Sequence, residues 1–326
     1  MKFKVTIVIP VYGVENYISK CAKSLFEQTL KDIQYIFVDD CTPDNSISVL
    51  KSVLQVYPER KDDVLILRNT KNSGLAASRN LGIKNAQGEY VIHCDSDDWI
   101  APSYVEEMYE KAKLYDADMV IAPICEELSV RTHVKALPPI VGDGKKVIQE
   151  WYHQPMHMSC CNKMVKRILY VDNNIYPIKG INMWEDNCLM LRLLYHCKKI
   201  TTVEGVYYHY NRINENAITS GYGRSAIEQM IKCANVLTDF FYSKQDRDRY
   251  QNTVYAIQFL AKLNLITSHF CWLKEYWALF PKSNCIISEI SQKAFSRKGA
   301  IRFFFAKYHL EILFVLLFKI KNAICK

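Results

Sequence analysis

Asp95-Ser96-Asp97-Asp98 places three carboxylates within four residues. Such a density is unfavourable unless a cation or hydrogen-bond donors compensate it. Hard oxygen ligands of this kind suit Mg2+ or Mn2+, which keep several waters and take substrate phosphates as further ligands. The ordinary alternative is a solvated turn, or acidic capping of a helix starting at Ser103. Glu185-Asp186 heads an apolar run reaching Cys197. An acid there is either a first-turn cap or a general base, which must sit beside an acceptor hydroxyl and be partly desolvated. Asp39-Asp40 follows an apolar stretch. It can accept N–H groups of a base or O–H groups of a ribose, or simply lead the turn Asp40-Cys41-Thr42-Pro43-Asp44.

Other reactive side chains read as structural. His153 and His157 are spaced i, i+4, but Pro155 lies between them and breaks the helix that a shared face would need. Tyr207-Tyr208-His209-Tyr210 reads as strand packing, with a ligand-facing His209 as the alternative. The twelve cysteines are scattered, with no paired Cys-x-x-Cys of the zinc or redox kind. They fit buried thiols in a reducing compartment.

The acids fall where an alternating pattern would put them. Val5–Ile9 is a β-branched run expected of a strand buried on both faces, followed by helical spacing over Glu15–Leu30. Strands are predicted at 35–38, 64–67, 90–94 and 119–122, separated by helices led from Asp44, over Gly74–Ala86 and over Ser103–Ala112. Strands joined by such helices form right-handed crossovers and a parallel sheet. Asp39 and the Asp95–Asp98 cluster then lie at carboxyl ends of strands, where open α/β sheets bind ligands. Residues 126–183 are less regular, a buried helix is expected over Glu185–Cys197 and a strand over Val206–Tyr210. From Arg224 onward the pattern is helical.

Length and composition bound the function. At 326 residues, 49% hydrophobic and 23% charged, the chain is long enough for about two domains and is neither disordered nor fibrous. The net charge of +8 is local: Lys293–Lys326 holds eight Lys/Arg against one acid, Glu311, and the rest is almost neutral. That is a surface-binding appendage rather than a nucleic-acid-binding core. No secretory leader pattern opens the chain, so a cytoplasmic protein is expected. Within Ile301–Ile320 only Ile312–Phe318 is uninterrupted by charge or His, too short to span a bilayer. The segment fits a helix lying in the membrane interface, or one docked on the protein's own core.

In order along the chain stand Val5-Thr6-Ile7-Val8-Ile9-Pro10-Val11-Tyr12, Gln28-Thr29-Leu30, Phe37-Val38-Asp39-Asp40 with Asp44-Asn45-Ser46, and Asn72-Ser73-Gly74-Leu75-Ala76 with Ser78-Arg79-Asn80-Leu81-Gly82. Gly88-Glu89-Tyr90-Val91, Asp95-Ser96-Asp97-Asp98 and Trp184-Glu185-Asp186 complete the series. This series resembles the family 2 glycosyltransferases, strongly over residues 3–125 and more weakly over 126–220. The resemblance implies the glycosyltransferase A fold: a mostly parallel, Rossmann-like sheet flanked by helices, here with a helical C-terminal region. It implies a catalytic domain over 1–223, with nucleotide-sugar binding in 1–125 and the acceptor side in 126–223, followed by a helical region over 224–326.

By the same resemblance, Pro10, Val11, Tyr12 and Asp39 form the nucleobase pocket, bordered by the Asn72–Arg79 stretch. Asp95 faces ribose with Ser96 beside it, Asp97 ligates Mn2+ or Mg2+, and Asp186 is the catalytic base with Glu185 adjacent. The implied reaction is inverting and non-processive, moving a sugar from a UDP-sugar to a hydroxyl of a glycan or lipid-linked glycan, as in bacterial surface-glycan assembly. Gly13 stands where Asn is usual, Cys41-Thr42-Pro43 replaces Gly-Ser-Thr, and Trp184 replaces a small residue. A dinucleotide dehydrogenase would need Gly-x-Gly-x-x-Gly after the first strand. A haloacid-dehalogenase-like phosphatase carries Asp-x-Asp after its first strand rather than its fourth. A sugar-phosphate nucleotidyltransferase would need a Gly-rich, Arg- and Lys-bearing first loop. A catalytically silent sugar-nucleotide-binding or scaffold protein on this fold is the alternative of another class.

Overall fold

The computed structural model describes residues 2–129, 131–135, 140–153, 158–214, 223–266, 270–290 and 297–324. The chain divides into two units: Met1–Lys145 with Met158–Ser220, and Lys146–His157 with Gly221–Lys326.

The first unit contains strands β1 (Val5–Val11), β2 (Ile33–Asp39), β3 (Val64–Arg68), β4 (Tyr90–His93), β5 (Trp99–Ile100), β6 (Met119–Ile121), β7 (Ile124–Glu127), β8 (Thr132–Lys135), β9 (Lys163–Lys166), β10 (Ile200–Thr202) and β11 (Tyr208–Asn211). Its helices are α1 (Ile18–Phe26), α2 (Ser46–Leu54), α3 (Leu75–Lys84), α4 (Tyr104–Tyr115), α6 (Arg167–Asp172) and α7 (Glu185–His196), and α5 (Gly144–Glu150) carries the chain from the first unit's residues into the second's after Lys145. Seven strands form one sheet in the order β10-β6-β9-β4-β1-β2-β3. β1 and β2 are buried along their whole lengths, which is why their sequences are continuous apolar runs rather than alternating ones. α3 lies so close to β1 that a Cβ at Gly82 would collide with Val8 Cγ1.

The sheet departs from the expected pattern at β9, which runs antiparallel between β4 and β6 in a region predicted to be irregular. Lys163 and Lys166 disguise this strand. Lys163 is fully buried with Nζ donating to Ser159 O at 2.6 Å and Asn162 Oδ1 at 2.9 Å, and burial pulls its pKa down to about 8. The three-residue strand β10 also went unanticipated. The helix expected over Glu15–Leu30 is shorter, Ile18–Phe26, and the β2–α2 turn satisfies backbone N–H groups of the loop ahead of it. Gly13 N donates to Thr42 Oγ1, Val14 N to Ser46 Oγ and Glu15 N to Asp44 Oδ2, at 2.9, 3.1 and 3.0 Å. Asp44 also accepts from the Ser46 N–H and from the hydroxyls of Ser46 and Thr42. Against the opposing effect of partial burial, these bonds hold its carboxyl at about 2. A second sheet, β5-β11-β7-β8, carries the chain after Asp95–Asp98.

The second unit is helical: α8 (Arg224–Tyr242), α9 (Gln251–Leu263), α10 (Phe270–Ala278), α11 (Arg297–Lys307) and α12 (Glu311–Ile324). Its core gathers Ile227, Phe259, Leu263, Leu273, Phe303, Phe314 and Val315. The single helix expected over 301–320 is two, broken at Tyr308–Leu310, where His309 adopts φ 55°. No described helix is long and apolar enough to cross a membrane.

Candidate active site

Parallel pairing sets the site's frame. Val11 of β1 pairs with Asp39 of β2, and Val8 of β1 with His93 of β4. Asp39 and Asp95 therefore leave the carboxyl edge of strands that flank β1, about 10 Å apart at a strand spacing of about 4.8 Å. Between them lie Pro10, which is buried, and Tyr12, which is 49% exposed.

Asp39 and Asp40 have different surroundings. Asp39 Oδ1 accepts Thr42 N–H at 2.8 Å, and Oδ2 lies 3.3 Å from Arg68 Nε. Asp40 organises the next loop, accepting from Asn69 Nδ2 (2.6 Å), Ser73 N (2.8 Å) and Gly74 N (2.7 Å). Those bonds satisfy backbone groups ahead of α3, where Gly74 has φ 88°. Asn72 lies exposed on this loop.

Arg79 joins acids that are remote in sequence. Its side chain is 1% exposed. Nη1 lies 2.7 Å from both Glu185 Oε1 and Asp186 Oδ1, and Nη2 2.7 Å from Asp95 Oδ1. Cys161 Sγ approaches the other Asp95 oxygen at 3.3 Å. A planar guanidinium can serve several carboxylates at once, which a lysine ammonium does less well. Glu185 is nearly buried, while Asp95 and Asp186 keep 29% and 25% of their side chains exposed. Burial, then the Asp186 charge, pushes Glu185 up to about 8 against the pull of Arg79. Trp184, with φ 64°, turns the chain so that both acids open α7. A side chain in this left-handed region costs about 1–2 kcal/mol.

The Asp95–Asp98 loop is held from β11. Asp95 N donates to Tyr208 Oη at 3.0 Å, and that hydroxyl donates to Asp98 Oδ2 at 2.5 Å. Asp98 Oδ1 accepts Asn211 N–H at 2.8 Å. Asn214 Nδ2 donates to Asp97 Oδ2 at 2.7 Å, while Asn211 Nδ2 reaches Asp97 O at 3.1 Å. Burial and the neighbouring carboxylates raise both Asp97 and Asp98. Asp98 and Ser96 are buried. Asp98 thus acts in the loop's own structure, and Asp97 is the member of the cluster backed by the side-chain amide of Asn214.

Sequence reasoning missed the roles of Asp40, Tyr208, Asn211 and Asn214. Nothing local marks them, since Tyr208 and Asn211 meet Asp98 across 110 and 113 residues. Arg79 was expected beside a nucleotide and is found inside the carboxylate cluster. Of the histidine pair, His153 Nδ1 lies 2.9 Å from Glu289 O, and His157 lies outside the described residues.

This architecture is shared with TarS residues 1–349 of S. aureus, solved with UDP-GlcNAc, at TM-score 0.67 and 16% identity over 98% of this chain and 92% of that one. The fold class is accordingly the α/β glycosyltransferase A fold. The sequence profile of Glycosyl transferase family 2 matches residues 6–172, more than half of the chain, and the protein belongs to that family and is a glycosyltransferase. Glycosyltransferase GlyA of Streptococcus pneumoniae is 40% identical over 118 residues, 36% of this chain and 16% of its own length. Poly(ribitol-phosphate) beta-glucosyltransferase of Bacillus spizizenii is 37% identical over 215 residues, 64% of this chain and 32% of its own length. The chain therefore spans at most a third of these two relatives.

Proposed function

We propose that this protein is a divalent-metal-dependent, inverting glycosyltransferase that moves a sugar from a UDP-sugar to a hydroxyl of a glycan or lipid-linked glycan. The observation that carries the reading is the Arg79 cluster, which brings Asp95 and Asp186 to one guanidinium although 91 residues separate them. Residues 1–125 carry the donor and 126–223 shape the acceptor side. Asp39, with Pro10, Val11 and Tyr12, receives the nucleobase. Asn72 borders that pocket, and Asp95 and Ser96 lie towards the ribose.

The carboxylates fit a hard divalent ion. Arg79 faces three acids, and burial, then their neighbours' charge, raises Asp97 and Asp98; the crowding of carboxylates is one that Mn2+ or Mg2+ would relieve. Asp97 is the ligand, positioned by Asn214. The ion, when bound, neutralises charge developing on the leaving diphosphate. Asp186 accepts the proton of the incoming hydroxyl. Arg79 takes one of its oxygens, yet a quarter of the side chain stays exposed, so a hydroxyl can reach the carboxylate. Glu185 stays beneath it and holds Arg79 in place. A single displacement at the anomeric carbon then inverts its configuration, and no covalent nucleophile is needed.

The test is thermal melting against a panel of sugar nucleotides with Mn2+ or with chelator. A ligand binding only the native state raises the melting temperature by mass action. Stabilisation by a UDP-sugar that chelator removes is expected. Equal stabilisation in chelator overturns the metal assignment, and no response to any sugar nucleotide overturns the donor assignment.

Peripheral membrane contact belongs to the same reading. α11 and α12 bury Phe303, Phe314 and Val315 while Phe304, Tyr308, Ile312, Leu313, Leu316 and Leu317 stay 44–55% exposed. Glu311, the only acid from Lys293 to the end, is 5% exposed, so the accessible charge there is basic and complements an anionic lipid surface. Docking on the core and contact with lipid are two faces of one hairpin. Flotation with phosphatidylglycerol vesicles should retain the wild type and release Leu313→Ser/Leu316→Ser. Equal partitioning of the two refutes the contact.

A further inference from the structure

The second sheet brings together three side chains that the transferase reading does not use. β7 and β11 pair in parallel with Cys125 opposite His209. Glu127 lies two residues along β7 from Cys125, so all three side chains leave the same face. Cys125 Sγ, a Glu127 oxygen and a His209 nitrogen lie within 4.8 Å of one another. His209 Nδ1 is 2.7 Å from Glu127 Oε1, and the Cys125 thiol engages Glu127 and Thr132. The imidazole is fixed from β5, where Trp99 stacks on it with centroids 5.4 Å apart and planes 9° apart. Lys20 lies over the Trp99 ring, 2.8 Å from its centroid, and also feels the Glu127 charge.

We infer that Cys125, Glu127 and His209 form a three-ligand site for a zinc-class cation, distinct in its ligands from the Asp95–Asp98 loop. Thiolate, imidazole and carboxylate together select Zn2+ or Co2+, whereas oxygen ligands alone suit Mg2+ or Mn2+. Ionised Cys125 and Glu127 supply two negative charges to a divalent ion, and water fills the fourth tetrahedral position. Metal–ligand bonds of about 2.0–2.3 Å set ligands about 3.3–3.8 Å apart. The His209–Glu127 hydrogen bond, at 2.7 Å, therefore opens on binding. Binding releases the Cys125 proton to solvent, so affinity rises with pH. The site ties β7 to β11, the strand whose Tyr208 holds Asp95 and Asp98.

The inference stands apart from the transferase reading and is tested without substrate. Full-length, reduced protein is titrated with Co2+ and followed by absorption. A sulfur-to-cobalt charge-transfer band is expected, displaced by Zn2+, strengthened from pH 6 to pH 8, lost in Cys125→Ser, weakened at least tenfold in affinity in His209→Ala, and kept in Asp97→Asn. If Cys125→Ser does not fold, His209→Ala decides, because His209 is 23% exposed and its loss leaves the core intact. No thiolate band in the wild type overturns the site. So does a band undiminished in either triad variant, which would assign it to another thiol, such as the exposed Cys271 or Cys285.

Discussion

Two buried cations, one from each unit, are used in opposite ways. In the first, Arg79 is spent on three carboxylates from two distant segments, and Asp98 is held by Tyr208 and a backbone N–H. In the second, the buried ammonium of Lys262 closes the end of α10 by donating to Leu279 O and Phe280 O at 2.9 and 3.0 Å. Glu311 is its electrostatic partner, and burial draws Lys262 down to about 8. A lysine that satisfies helix-end carbonyls completes backbone structure. An arginine that leaves three acids crowded together preserves an electrostatic tension at a cleft, which is where functional sites concentrate perturbed groups. The lesson is that buried charge alone does not mark a site; an acid excess that the fold tolerates does.

Five substitutions would break or sharpen that contrast. The largest effect is expected from Asp186→Asn, with transfer falling about 10²–10⁴-fold while UDP still stabilises the protein in thermal melts. Undiminished transfer would move the base elsewhere. Next, Arg79→Met leaves three acids without their cation and should cost about 3–5 kcal/mol in urea unfolding. A cost below about 1 kcal/mol would show that the carboxylates are not held as described.

In the helical unit, Phe314→Ala should cost a similar 3–5 kcal/mol, whereas Leu316→Ser, two residues on, should stay within about 0.5 kcal/mol. Equal costs would mean that α12 does not present one buried and one exposed face.

The last effect is a pH slope. Glu185 has a folded pKa of about 8, above the unfolded value of about 4.3. Its contribution to stability is fully present below about pH 4.3 and is lost as pH rises through about 8. Denaturation curves from pH 5 to 8.5 should show Glu185→Gln with a flatter decline than the wild type. Identical slopes would remove Glu185 as the source.

Strands β1, β2 and β4 were readable because both faces of each are covered, so burial writes itself into consecutive residues. The acids were readable as candidates because they follow those strands directly. β9 was not readable, since its lysines look like surface residues until Lys163 finds carbonyl partners inside the fold. The break at His309 was equally hidden, because the apolar spacing runs on through it.

What the sequence by itself determined was the order of crossovers, the strand-end placement of Asp39 and Asp95–Asp98, and membership in the family. These depend on local periodicity and on short motifs whose members are neighbours in the chain. Only the tertiary structure decided that Arg79 joins Asp95 to Asp186, that Tyr208 and Asn214 hold the acidic loop, and that Cys125, Glu127 and His209 share a face. Such contacts are set by strand register and by the need to pair every buried charge, and both arise only once distant segments have packed.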